Sequence, residues 1–167
     1  GTPQRGLPVR PIRKRFAVLL GAVALAGCGD SPCGPDRGVV ARVIDGDTIE
    51  LEGGLRVRYL DVDCPEATHE VECFGEEARL ANESRVLGRE VLLQYESRCE
   101  DDYGRLLAHV LLDGRVVGRD LVAEGYGCAL VIEPNTLHGD EFREAQAWAR
   151  AHGLGLWGAC RDDLPCR

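Results

Sequence analysis

Two β-rich runs, Val39 to Ile44 and Thr48 to Leu51, open the patterned part of the chain. Gly53-Gly54 separates the second from Leu55 to Leu60 in the manner of a tight hairpin. In that third run Leu55, Val57 and Tyr59 share one face by alternation, so Arg58 projects from the other. Gly75 to Leu87 has helix-forming composition, with Ala78, Leu80 and Ala81 near one stripe and Gly88 as a stop signal. Glu90 to Tyr95 and Leu106 to Leu112 read as further strands, the second ending at the turn dipeptide Asp113-Gly114 before Val116-Val117, which places Arg105 at a strand start. Arg119 to Glu124 is a brief helix closed by Gly125. His138 to His152 is the longest helix, with Phe142, Ala145, Trp148 and Ala149 available for packing and Asn135 or Thr136 to cap it. This order of strands, hairpin, helix, strands and later helices predicts an α+β fold: an OB-fold five-stranded β-barrel with about three helices, occupying residues 39–160.

The pattern before Val39 is different. Arg10, Arg13, Lys14 and Arg15 precede the apolar run Phe16 to Ala26, and small residues follow, which is the layout of a secretory signal; the run is shorter than the ~20 residues a bilayer span needs. Leu25-Ala26-Gly27-Cys28 resembles a bacterial lipobox. Residues 1–27 are therefore expected to be a lipoprotein-type signal peptide, with Cys28 the lipidated first mature residue and membrane anchor. An ordinary cleaved signal is the alternative. Residues 28–38, with Pro32, Gly34 and Pro35, read as a short flexible tether, and 161–167 as a C-terminal tail. The expected location is extracytoplasmic, lipid-anchored to the bacterial cell envelope or secreted.

Composition adjusts this picture in two places. A length of 167 residues and a hydrophobic fraction of 44% suit one globular domain. The net charge is −8, and loss of the leader with its five basic residues would leave 15 basic against 28 acidic side chains. Such a surface lacks the basic footprint usual for nucleic-acid binders, so any work on a polyanion must rest on a local positive site.

That site can be assembled from three segments: Ile44-Asp45-Gly46-Asp47-Thr48, Arg58-Tyr59-Leu60-Asp61-Val62-Asp63-Cys64-Pro65-Glu66, and Asp102-Tyr103-Gly104-Arg105. Charge that builds on a phosphate is stabilised by planar guanidinium pairs, for which Arg58 and Arg105 are the candidates. Carboxylates on the same surface would repel a phosphate unless a hard divalent cation lies between them, a role that Asp47 and Asp63 fit. Glu66, just beyond a proline-stiffened turn, is placed to orient or deprotonate water. Together these residues point to metal-assisted phosphodiester hydrolysis; surface ion pairing is the plainer reading of the same residues.

In order and spacing these segments resemble the signature blocks of the staphylococcal nuclease (thermonuclease) family, from about Val39 to Trp157. The resemblance implies the same barrel and a secreted endonuclease acting on DNA and RNA with Ca2+ as cofactor, leaving 3′-phosphate ends. It maps the metal ligands onto Asp47, Asp63 and the main-chain carbonyl of Cys64, the general base onto Glu66, and the phosphate-binding arginines onto Arg58 and Arg105. Tyr103 matches a tyrosine that helps hold a terminal phosphate, although Asp102 stands where the family has a lysine. Leu130 and Ile132 replace two tyrosines that border the nucleoside pocket, which predicts weaker substrate binding, since aromatic stacking contributes roughly 1–3 kcal/mol per base. The rival reading is a non-catalytic OB-type binding module on the cell envelope. A monomer is expected.

The eight cysteines fit an oxidising compartment. With Cys28 lipidated, seven remain and one must stay unpaired within the chain. Cys64-Cys73, which would close the loop beyond the metal-binding turn, and Cys160-Cys166 are the candidate pairs. A metal site of Cys64, His69 and Cys73 lacks a completing ligand pair. Trp148 and Trp157 are expected to pack against the barrel, and His109 and His138 to serve structure; Ser31, Ser84 and Ser97 lack the glycine flanks of a nucleophile elbow.

Overall fold

The computed structural model describes residues 32–68, 70–160 and 163–166, besides the isolated first residue. The leader, Cys28, the first part of the tether and His69 lie outside the described residues. Three strands form an antiparallel meander: β1 (Arg37–Asp45), β2 (Thr48–Leu51) and β3 (Arg56–Tyr59). β1 also pairs with β5 (Glu90–Gln94) and β5 with β6 (Leu106–Leu112), while β6 runs parallel to β3 with Val57 opposite Leu106. The ring β3-β2-β1-β5-β6 is thereby closed, and a short β7 (Arg115–Val116) extends β6. Closure satisfies edge groups that an open sheet would leave unpaired. Register shifts at Val40/Arg42 and Val43/Asp45 bend β1, so that it serves β2 along one stretch and β5 along another. This is the α+β OB-type barrel that the sequence pattern predicts.

Alternation fills the barrel with Val40, Ile49, Leu51, Val57, Tyr59, Val91, Leu93, Leu106, Ala108 and Val110. Leu55 departs from its expected inward place, because it belongs to the Gly53-Gly54 turn before β3 and is exposed. Helix α1 (Gly75–Val86) buries Gly75, Ala78, Asn82 and Val86, whose spacing is one helical face. Leu80 falls off that face and is exposed. The polar member of the stripe, Asn82, accepts the Tyr59 hydroxyl at 3.0 Å and donates to the Asp45 carbonyl at 3.3 Å, which ties α1 to β3 and to the β1–β2 turn.

Two further strands, β4 (Asp61–Asp63) and β8 (Cys128–Leu130), form an antiparallel ribbon beside the barrel that is too short to announce itself in sequence. α2 (Val117–Ala123) and α3 (Gly139–Ala151) pack on the barrel through Leu121, Val122, Phe142 and Ala145, and α4 (Leu156–Ala159) caps a small second core. Trp148 does not pack against the barrel: it lies roughly a quarter turn off the Phe142, Ala145, Ala149 stripe and is 58% exposed. Trp157 is partly buried against the second core. Nor does Asn135 cap α3. Its amide side chain instead bonds the Arg98 main chain at both N–H and carbonyl, 2.9 and 2.8 Å, and no side chain caps the helix.

The disulfides differ from both expected pairs. Cys33 joins Cys99, Cys73 joins Cys160, and Cys128 joins Cys166, while Cys64 is unpaired and buried. The reason lies in which core each sulfur enters. Cys64 faces the barrel core, so close to Gly46 and Gly127 that a Cβ at either would collide with its sulfur. Cys73 and Cys166 lie against the other core, beside Cys160, Cys128 and Leu156. Burial, followed by the nearby Asp47 charge, pushes the Cys64 thiol well above its usual pKa, which disfavours the reactive thiolate.

The loop after β4 is held by its main chain. Glu72 donates its amide to the Glu66 carbonyl at 2.9 Å and accepts the Glu66 amide on its carboxylate at 3.0 Å. Gly75, the first residue of α1, passes so near that a Cβ there would fall inside contact distance of the Glu66 carbonyl.

Two outcomes are expected. Peptide mapping after alkylation should find Cys64 unmodified in the native protein and labelled only after denaturation, with the other described cysteines protected until reduction. Gly75→Ala should destabilise the protein by about 1–3 kcal/mol in denaturant titration, because a main-chain segment must shift to admit the methyl group.

Candidate active site

The β1–β2 turn carries Asp47 into the interior, where its side chain has no solvent exposure. Three donors meet it. Arg58 of β3 forms an ion pair with Oδ1, the Thr48 hydroxyl donates to the same oxygen at 3.0 Å, and the Cys64 amide donates to Oδ2 at 2.6 Å. Burial raises the Asp47 carboxyl above its ordinary range, and Arg58 and the Cys64 amide oppose that rise without cancelling it.

Arg58 projects from the non-core face of β3, as alternation predicts. Its second terminal nitrogen lies 2.8 Å from Asp63 Oδ1, so one guanidinium spans the carboxylates of Asp47 and Asp63. Burial opposes its charge, but the two carboxylates outweigh that and raise its pKa. Two carboxylates thus converge on one cation, a pair of oxygen donors of the type that hard divalent ions take. In this arrangement the guanidinium supplies the positive charge.

Glu66 stands at the mouth of this group, exposed, with its main chain latched by Glu72. Partial burial and then the fields of Asp45 and Asp47 raise its pKa. A poised carboxylate with a raised affinity for protons is suited to accept one.

A cleft of about 220 Å³ lies between β3, the 98–105 loop and the 130–135 segment. Arg58 and Arg105 both line it, together with Leu130, Ile132 and Arg98. Arg105, just before β6, is held by Asp101, whose Oδ2 accepts Nε at 2.6 Å while Oδ1 accepts the Arg105 and Tyr103 amides. Burial works against the Asp101 charge, yet these donors hold its carboxyl below the usual range. Tyr103 is 85% exposed at the loop tip, with the Arg105 guanidinium 5.5 Å from its ring centre. It stands at the rim rather than in the cleft lining.

The structure therefore gathers Asp47, Arg58 and Asp63 by direct contact and joins Arg58 to Arg105 through the cleft. Tyr103 stands at its rim, and Asp47, Asp63 and Glu66 lie outside its lining. Several supporting residues escape sequence reading: Asn82 and Glu72, which brace the turns, and Arg98, whose guanidinium pairs with Asp102 at 2.7 Å. Asp102, in the place of the family lysine, thus brings a negative charge beside an arginine to which the sequence pattern assigns no role. The i,i+4 spacing of Arg98 and Asp102 was the one available signal.

Comparison with known proteins identifies the family. Residues 56–159 match the model of the family described as staphylococcal nuclease homologue. Endonuclease YncB of Bacillus subtilis is 40% identical over 124 residues, covering 70% of this chain and 59% of the relative. The SPbeta prophage-derived endonuclease YokF of the same organism is 37% identical over 124 residues, 70% of this chain and 42% of the relative. Thermonuclease of Staphylococcus intermedius is 33% identical over 125 residues, 71% and 74% of the two chains. The chain thus spans about half the length of the two Bacillus relatives and most of the staphylococcal one. With the family match running from β3 to α4, over the strand that carries Arg58 and the loop that carries Arg105, the chain belongs to the staphylococcal nuclease family.

Proposed function

We propose that this chain is a calcium-dependent nuclease that hydrolyses phosphodiester bonds of DNA and RNA. The observation that carries the reading is Arg58, which contacts Asp47 and Asp63 and lines the same cleft as Arg105. The names of the relatives, endonucleases and thermonuclease, support the class of reaction.

In this reading the substrate phosphate enters the cleft and takes hydrogen bonds from Arg58 and Arg105, which requires Arg105 to exchange Asp101, and Arg58 to exchange Asp63, for a phosphate oxygen. Glu66 accepts a proton from a water molecule as the water oxygen bonds to phosphorus. The bond from phosphorus to the 5′ oxygen breaks, the leaving oxygen takes up a proton, and a 3′-phosphate end remains. The guanidinium groups stabilise the charge that accumulates on the equatorial oxygens. Asp47, Asp63 and the Cys64 carbonyl would hold the calcium ion, which when bound supplies positive charge to polarise the phosphoryl group. Tyr103 borders the terminal phosphate. An acidic surface suits rapid release of cut polymer rather than tight retention.

In the same reading the protein works outside the cytoplasm, exported by the 1–27 leader and anchored through Cys28. Three disulfides among the described residues support an oxidising compartment.

Denatured DNA incubated with the protein should be cut in calcium and not in chelator. Glu66→Gln should lower kcat by about 10²-fold or more with the fold unchanged, and the Arg58→Ala/Glu66→Ala double variant should be inert. A correctly folded parent that binds single-stranded DNA without cutting it in calcium or magnesium would instead establish the binding-module reading. Leu130 and Ile132 sit on the cleft wall, so Leu130→Tyr/Ile132→Tyr should lower KM for single-stranded DNA by roughly tenfold through added stacking; an unchanged KM in steady-state kinetics would show that this wall does not meet the bases.

A further inference from the structure

A second polar cluster lies in the interior, and the phosphodiester reading makes no use of it. Asp61 at the start of β4, Glu96 just after β5 and His109 within β6 each bring one ligand atom within 4.8 Å of the others. His109 Nε2 is 2.8 Å from Glu96 Oε1 and 4.0 Å from Asp61 Oδ2. The side chains of His109, Asp61 and Glu96 are 0%, 1% and 11% exposed.

Two features mark this as more than a buried ion pair. Neither carboxylate oxygen of Asp61 has a hydrogen-bond partner within bonding geometry, although the His138 amide is near enough to favour its charge. A carboxylate closed off from water without donors is costly unless a cation compensates it. The neighbouring ligand atoms are already oriented. Glu96 Oε2 accepts the Thr136 and Leu137 amides at 2.7 and 3.0 Å, which leaves Oε1 toward His109. The His109 ring is packed edge-on by His138 and flanked by Phe142.

We propose that Asp61, Glu96 and His109 form a second cation site, for a borderline first-row divalent ion such as Zn2+, separate from the all-oxygen group at Asp47 and Asp63. One imidazole nitrogen with two carboxylate oxygens suits zinc and disfavours calcium. The present spacings of 2.8 and 4.0 Å bracket the roughly 3.3 Å between donors that bonds of about 2.0–2.1 Å imply in a tetrahedral site. A divalent ion balances both carboxylates while the imidazole stays neutral. Asp61 also borders the cleft, so the site lies behind that wall. The ion would brace β4 to β5 and β6 beneath the cleft. None of this rests on the nuclease reading.

The test uses the full oxidised chain, stripped with chelator and with its accessible thiols alkylated, titrated with Zn2+ by calorimetry and checked for bound metal after gel filtration. The parent should hold one equivalent. Asp61→Asn, close in shape to the native side chain, should weaken zinc binding at least tenfold, as should Glu96→Gln, while Glu76→Gln, on the exposed face of α1, leaves it unchanged. Cobalt in place of zinc should give visible d–d absorption in the parent that is lost in Asp61→Asn. If the parent binds no zinc, or if whichever of Asp61→Asn and Glu96→Gln folds by circular dichroism binds it like the parent, the proposal is overturned.

Discussion

The arrangement around the cleft depends on one buried charge, the carboxylate of Asp47. An ionised group without solvent is stable only if the protein replaces the lost water with donors and an opposite charge. Here the replacements are Arg58, the Thr48 hydroxyl and the Cys64 amide. Each comes from a different stretch of chain, so their meeting locks the β1–β2 turn, β3 and the segment after β4 together. Asn82 reinforces the same junction by reaching from α1 to Tyr59 and to the Asp45 carbonyl. The pairing that stabilises Asp47 also holds a guanidinium at the cleft wall, where a phosphate could meet it.

Charge is balanced locally at each arginine of the cleft. Arg58 has Asp47 and Asp63, Arg105 has Asp101, and Arg98 has Asp102. A chain with 28 acidic and 20 basic residues can thus present its cations to an anion only by exchanging partners. Such exchange favours a ligand that offers phosphate oxygens in bidentate geometry over one that offers diffuse negative charge. The three disulfides act elsewhere. They fasten the outer segments, Cys33 to Cys99 and the two C-terminal cysteines to Cys73 and Cys128, and leave the barrel itself to hydrophobic packing.

Much of this was legible in the sequence. The alternation of Val57, Arg58 and Tyr59 correctly sent Arg58 away from the core, and the strand order with its turn dipeptides was enough for the barrel. The blocks around Asp47, Asp63, Glu66 and Arg105 stood out because carboxylates and guanidinium groups recur there in turn-rich segments. Where local pattern was weak the reading failed. β4 and β8 are three-residue strands stabilised by each other, and no window that short carries a period. Apolar character alone points Leu80 and Trp148 inward, although helical geometry places both off the buried face.

Short-range periodicity was sufficient for a barrel with packed helices, and residue chemistry together with the family resemblance singled out Asp47, Arg58 and Asp63, which the fold brings into contact. Which distant groups meet is a matter of tertiary packing. Disulfide partners depend on which of two cores a sulfur enters, and Cys33-Cys99 and Cys73-Cys160 join positions 66 and 87 apart. The gathering of Asp61, Glu96 and His109 was likewise invisible, since each looks ordinary in its own segment and only barrel closure brings the three together. Contacts between residues far apart in the chain leave no trace in local pattern, because their energy comes from burial and complementarity that exist only once the fold is complete.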